Sequence, residues 1–207
     1  MLGEKLILIG YSGHALVVVE TAIDNNLNII GYTDNSKVTF NPFELEYLGF
    51  ENDENFLPWT QEVSFILGIG DNYIRKKVAL LIESKHKTIE TVIHSTASIS
   101  KTVSIGSGTF INKNVSINAF AKIGKNVILN TACIVEHECV ISDNVHIAPG
   151  AVLAGNVRVG ENTFVGANAV IKQGVTIGKD VIIGAGSVII DNIPDSKKAV
   201  GNPSRII

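Results

Sequence analysis

The sequence predicts an α/β half-domain followed by a parallel β-coil with three flat faces. Three observations predict it. An aliphatic residue recurs every six positions, without a gap, from Ile93 to Ile189. Before it, Lys5 to Asp34 reads as strand, glycine-rich turn, helix, strand and acid. Composition also steps near residue 92: the first part holds 7 Lys+Arg against 13 Asp+Glu, the second 10 against 7. All four tyrosines and the single tryptophan fall in the first part. Such a step suggests two structural units, 1–92 and 93–207.

The elements of the first unit follow in order. Lys5 to Gly10 is a buried strand, and Tyr11-Ser12-Gly13 turns the chain. His14 to Asn25 is a helix with Leu16, Val19 and Ile23 on one face. Asn28 to Thr33 is a second strand, ending at Asp34. Residues 37–61 show no period, and Pro42 and Pro58 break them. Glu62 to Ile69 is a third strand, and Asp71 to Lys85 a helix with Asp71 or Asn72 as its cap. Thr88 to Ile93 leads into the coil. This is the layout of a Rossmann-like nucleotide-binding half-domain. Gly10 and Gly13 would let the backbone approach a phosphate at a helix N-terminus. Asp34 has nearly the spacing of a ribose-binding acid, although Gly10-x-x-Gly13 is not the full dinucleotide motif, and two glycines can equally make an ordinary turn.

A period of six fits neither a helix nor a flat strand. It fits a coil of 18 residues per turn. All 17 residues stepped from Ile93 are Ile, Leu or Val. Four positions after each runs a second series, nearly all small or β-branched, which would fill the rest of the interior. Gly106, Gly124, Gly160, Gly166, Gly178 and Gly184 directly follow the aliphatic residue, as do Asn112, Asn118 and Asn130. They are expected to mark the bends, because both types tolerate positive φ. Seventeen hexapeptides give just under six turns, roughly 25–30 Å of prism at ~4.8 Å per strand.

Composition excludes several classes. With 45% hydrophobic and 18% charged residues the chain is not disordered, and the aromatic share of 6% means an aliphatic core. No apolar run is long enough for a transmembrane helix. Met1 to Lys5 lacks a signal-peptide layout, and Cys133 and Cys139 are no disulfide framework, so the cytoplasm is expected. A net charge of −3 disfavours nucleic acid as a partner.

Of five histidines, His86 reads as surface and His94 as structural. His137 is different: it lies between inward Val135 and Cys139, hence on the outside, and is flanked by Glu136 and Glu138. A carboxylate on one ring nitrogen fixes the tautomer and raises basicity at the other. His146 follows nine residues later, half a turn away, so the two could meet across a subunit interface without meeting in one chain. The plain alternative is polar decoration of a solvated coil. The two cysteines, six apart, read as core filler.

The 17 hexapeptides, with Gly10-Tyr-Ser-Gly-His14, Gly68-Ile-Gly-Asp-Asn-Tyr-Ile-Arg75, Glu136-His-Glu-Cys-Val-Ile141, His146, Ala154-Gly-Asn156 and Val200-Gly-Asn-Pro203, carry a resemblance over nearly the whole chain. It resembles the hexapeptide-repeat sugar acetyltransferases: the sialic acid O-acetyltransferase-like proteins and, more closely, the UDP-4-amino-sugar N-acetyltransferases of bacillosamine synthesis. The resemblance implies a left-handed parallel β-helix, a homotrimer with sites between adjacent coils, and acetyl-CoA as donor. The implied acceptor is the amine of a UDP-4-amino-4,6-dideoxy sugar. His137 would be the base and Glu138 the acid that orients it. His146, Gly155 and Ala167 would lie along the cofactor, Gly155 offering its N–H to the thioester carbonyl. Gly10, Gly13, His14, Asp34, Asn72, Arg75 and Asn130 would hold the nucleotide sugar. Tyr11 and Asp71 depart from the small residue and the Asn common at those places. Lys172, Lys179, Lys197, Lys198 and Arg205 are candidates to attract the CoA phosphates.

Rival readings use the same residues. The Glu-His-Glu base would serve a sugar hydroxyl, as in O-acetylation of sialic acid, as well as an amine. A non-catalytic nucleotide-sugar scaffold would need no base. A trimer-interface zinc, found in hexapeptide coils with carbonic anhydrase activity, resembles H-x4-H plus a third histidine; here the spacing is H-x8-H, so no metal is expected.

Overall fold

The computed structural model describes residues 5–207, so Met1 to Glu4 lie outside the described residues. Strands β1 (Lys5–Ile9), β2 (Asn28–Thr33) and β3 (Ser64–Leu67) form a parallel sheet in the order β2-β1-β3. Helix α1 (Gly13–Asp24) packs on one face and α2 (Asn72–Ser84) on the other. Covered on both faces, β1 is a continuous apolar run rather than an alternating one. Successive side chains take opposite sides: Leu6 and Leu8 join Ala15, Val18 and Val19 of α1, while Ile7 and Ile9 join Val78, Ala79 and Ile82 of α2. Asp71 is the cap of α2, its Oδ1 accepting from the Ile74 N–H at 2.9 Å. Within the stretch that reads as aperiodic, Tyr47 bridges Tyr32 beside β2, and Leu57–Thr60 makes one 3-10 turn.

From Val92–Ile93 to Val188–Ile189 run seventeen two-residue strands, one per hexapeptide, in three parallel sheets. The chain returns to each face after 18 residues; His146, for example, pairs with Ile128 below and Phe164 above. The first face carries Val92, Phe110, Ile128, His146, Phe164 and Ile182 outward, and Lys198–Val200 with Arg205–Ile206 extends it. The second carries Ser98, Ser116, Ile134, Val152, Val170 and Val188; the third Ser104, Lys122, Val140, Arg158 and Thr176. Both repeating series point inward and form one aliphatic column in which Cys133 and Cys139 are buried filler.

The bends are not where the glycines were expected to put them. Positive φ falls three residues after most of the aliphatic residues, chiefly at Asn114, Asn126, Asn144, Asn156, Asn162, Asn168 and Asp180, with Gly108, Gly150, Gly174 and Gly186 in the same role and Phe120, Ala132 and Glu138 as exceptions in residue type. Gly106, Gly124, Gly160 and Gly178 are needed for a different reason. A Cβ on Gly160 would stand 2.5 Å from the Gly178 carbonyl carbon, one turn away. These glycines let successive turns approach, while Asn and Gly three residues after the aliphatic position make the corners.

The α/β part lies on the lower half of the first face. Val92, Phe110 and Ile128 of the coil share one apolar cluster with Leu6, Leu8, Tyr11, Ala15 and Val18.

Candidate active site

The corner between the second and third faces carries Ala119, His137 and Gly155, one above another at intervals of one turn. His137 Nδ1 lies 3.1 Å from Glu138 Oε2. A carboxylate accepts, so the proton sits on Nδ1 and Nε2 presents its lone pair. The ring lies over Gly155, where an added Cβ would come within 2.5 Å of Nε2. Only glycine leaves room for the imidazole there. Gly155 N–H has no acceptor among the described residues. The Nε2 lone pair and an unspent backbone N–H thus lie at one corner.

Glu138 occupies the left-handed corner position, with φ +61. Asn156 and Gly174 hold that position in the next two turns. A residue with a Cβ and no local side-chain compensation costs energy there. The cost coincides with the contact that fixes the His137 tautomer. Phe120, one turn below, has φ +62 and is 64% exposed.

His146 lies on the first face, away from that corner. Its Nδ1 is 3.3 Å from the Gly70 carbonyl and its Nε2 is 3.3 Å from Asn130 Nδ2. The carbonyl accepts, so Nδ1 donates and Nε2 accepts from the amide. Asn130 Oδ1 in turn accepts from Asn112 Nδ2 at 3.0 Å, which fixes the amide orientation. Burial, with the nearby Arg75 charge, lowers the His146 pKa to about 3 and that of His14 to about 4. The two rings lie 6.2 Å apart and both are neutral. With Phe164, Ile182, Asn72 and Tyr73, His146 lines a cavity of about 450 Å³.

In the α/β part, Gly10 turns the chain at φ +79. Asp34 holds that turn: Oδ2 accepts from the Tyr11 N–H at 3.0 Å and Oδ1 from the Asn35 N–H at 2.7 Å. Space is open above Gly13, the first residue of α1. Tyr11 turns its ring into the core against Tyr32, with centroids 4.6 Å apart, and so leaves the turn unobstructed. Asp71 spends its carboxylate on the α2 cap.

Arg75 is a correction. Expected in the nucleotide-sugar pocket, it is 1% exposed and donates to the carbonyls of Gly70, Asn126 and Asn144 at 2.8–3.0 Å and to Asn72 Oδ1 at 2.8 Å. It is a strut between α2 and the coil. Asn72 joins it, giving its Nδ2 to the Asn162 and Thr163 carbonyls at 3.1 Å, and also lines the His146 cavity. No pattern in the sequence marks this role, because the partners are carbonyls, which every residue has.

Ala167 is half-buried on the corner between the first and second faces. The expected residues therefore fall into two groups on one chain. His137, Glu138 and Gly155 share one edge of the second face, and Ala167 lies on the other. His146, Asn130 and His14 lie round the further side, on the first face and against it. Among the described residues no group of three or more His, Cys, Asp or Glu could hold a metal ion, and no helix is long and apolar enough to cross a membrane.

Residues 5–81 match the PglD N-terminal domain family, and residues 156–191 the bacterial transferase hexapeptide (six repeats) family. The chain is 32% identical to a variant of the GDP-perosamine N-acetyltransferase of Caulobacter crescentus, solved with CoA and GDP-perosamine. The match covers 100% of this chain and 98% of that one, with a TM-score of 0.92. It is 31% identical to the acetyltransferase domain of PglB from Neisseria gonorrhoeae FA1090, solved with acetyl coenzyme A, over 99% and 100% of the two chains, with a TM-score of 0.92. WeeI from Acinetobacter baumannii AYE is 25% identical over 99% and 100%, with a TM-score of 0.87.

Proposed function

This chain belongs to the hexapeptide-repeat sugar N-acetyltransferases, and from that premise we propose that it moves the acetyl group of acetyl-CoA to the amine of a nucleotide-linked sugar. The observation that carries the site assignment is the His137 imidazole, held by Glu138 as the Nδ1–H tautomer with Nε2 over Gly155. An amine attacks only with a free lone pair. His137 Nε2 takes the proton as the C–N bond forms, and Gly155 N–H is in reach of the oxygen that becomes negative. When the C–S bond breaks, the protonated imidazole returns the proton to the departing thiolate. Bound acetyl-CoA supplies the acyl group; the protein supplies base, orientation and oxyanion donor. Residues 1–92 would hold the nucleotide sugar and 93–207 the donor, with Gly10, Gly13, His14 and Asp34 on the substrate side and His146 and Ala167 along the donor.

A functional trimer is part of this reading. The base stands 49% exposed on its corner, with no wall opposite it in the same chain. The second face between the two groups is apolar: Ile134, Val152 and Val188 are half-buried and Val170 is 41% exposed. Three copies packed on that face would bring the His137 edge of one to the Ala167 edge of the next and bury the patch. Val152→Glu should yield monomers by light scattering and lose most activity with the coil still folded. An active monomer would remove the trimer from the mechanism. We place the protein in the cytoplasm, the compartment that two buried, unpaired cysteines suit.

His137→Ala should lower kcat about a thousandfold, measured as thiol release from acetyl-CoA with a nucleotide 4-amino sugar. Activity near that of the unmodified chain would end the assignment. Faster transfer to free sialic acid than to any sugar nucleotide would point to O-acetylation instead.

A further inference from the structure

We propose that Glu51 reads the base of the nucleotide sugar and that the base is guanine, so the acceptor is a GDP-linked amino sugar. The inference rests on the acetyl-transfer reading only for the sugar; the base is argued from the α/β part alone.

Glu51 is 5% exposed, a rare state for a carboxylate, and among the described residues no ion pair involves it. Its Oε2 accepts from Thr33 Oγ1 at 2.8 Å, and its backbone carbonyl accepts from Trp59 Nε1 at 3.2 Å. These two bonds fix Glu51 beside Thr33, the last residue of β2 and the one before Asp34. Among the described residues no hydrogen bond reaches Oε1, which is not among the fully enclosed unpaired atoms. Glu51 lines a cavity of about 340 Å³, between Asn35 and Asn52 on one side and the α2 side chains Ile74 and Lys77 on the other, with Phe50 beside it, and we infer that Oε1 opens on it. In open parallel sheets ligands bind beyond the carboxyl ends of the strands. This cavity begins there, next to the Asp34 turn.

The chemistry of the cavity selects among bases. A buried carboxylate accepts hydrogen bonds and gives none. Guanine offers two neighbouring donors, N1–H and the N2 amine, which the two lone pairs of the free Oε1 can take together. Uracil offers one N–H between two carbonyls, so a carboxylate that meets it also meets a carbonyl lone pair. Adenine presents a ring nitrogen acceptor where guanine has N1–H. Phe50 and Ile74 supply apolar surface for the faces of a planar ring. A site built to pair with a donor rejects analogues that lack it, because its own group is then left buried and unpaired. Guanine replaces the uracil expected from the family resemblance.

The test is calorimetric titration of the full chain with nucleoside diphosphates. GDP should bind at least tenfold more tightly than IDP, which lacks the N2 amine, and about a hundredfold more tightly than UDP or XDP, whose carbonyls face the carboxylate. These ligands need no variant, so misfolding cannot produce the result. In Glu51→Gln the side-chain amide can donate to the xanthine carbonyl, so preference should reverse and XDP should bind more tightly than GDP. UDP binding as tight as GDP binding, or an unchanged GDP preference in Glu51→Gln, would overturn the assignment. The two readings fail separately. Faster acetylation of a UDP-linked amino sugar than of its GDP-linked counterpart removes guanine and leaves the transferase. GDP preference without thiol release on any amino sugar removes the transferase and leaves guanine.

Discussion

At the scale of single residues, the chemistry concentrates where the coil breaks its own rule. Most corner positions in the left-handed region carry Asn, Asp or Gly; Glu138 sits there at φ +61, as do Phe120 and Ala132, but of these three only Glu138 has a side chain bonded to an imidazole. A longer side chain gains nothing locally from that backbone and forfeits about 1 kcal/mol against Asn. What it gains is reach to His137 Nδ1. Glu138→Asn should therefore raise the midpoint of urea unfolding and lower kcat by about tenfold or more, with KM for both substrates little changed. A loss of stability, or full activity, would show that Glu138 is not held there for the imidazole. This pair was legible from Glu136-His-Glu138 alone, since alternation with Val135 and Cys139 set His137 outward. Arg75 was not. Its five donors meet carbonyls brought together only by folding, and a sequence does not mark one carbonyl from another.

At the scale of elements, the period of six was visible without gaps because each hexapeptide meets the same neighbours, 18 residues away. The period did not say which glycines bend the chain, because glycine serves two ends: positive φ and close approach. The two can be separated. Gly160→Ala puts a Cβ 2.5 Å from the next turn's backbone and should cost about 3 kcal/mol by urea unfolding. Gly174 has φ +76 and nothing within 4 Å of its missing Cβ, and Gly174→Asn should be neutral to within about 0.5 kcal/mol. Equal penalties at the two sites would contradict this division of roles. Residues 37–61 were illegible for the opposite reason. They lack a repeating environment, and Glu51, Tyr47 and Trp59 find their partners one at a time.

At the scale of the whole molecule, the α/β part and the coil are joined through groups that acid can break. His14 and His146 lie in the seam, with pKa values lowered to about 4 and about 3 against 6.5 for a free imidazole. Desolvation is the larger cause at both, and the Arg75 guanidinium adds to it; His146 also feels His14. Around them the seam offers the Gly70 carbonyl, the Asn130 amide, Phe110 and Phe164, and among the described residues no carboxylate bonds to either ring. Below pH 6.5 the unfolded chain binds protons that the folded chain refuses until pH 4 or 3. Stability from this source is thus complete above about pH 6.5 and declines as pH falls, by up to about 1.4 kcal/mol per unit for each histidine. Urea unfolding between pH 7.5 and 4.5 should show the decline, and His14→Gln with His146→Gln should remove most of it. An unchanged slope in the double variant would place the acid sensitivity elsewhere. The coil's own column is aliphatic and its Cys133 thiol is pushed up to about 12, so nothing in it titrates over this range. Acid should accordingly open the seam first: amide exchange at Gly70 to Asn72 should accelerate at pH 4.5 while Ile128 and Leu153 in the coil stay protected.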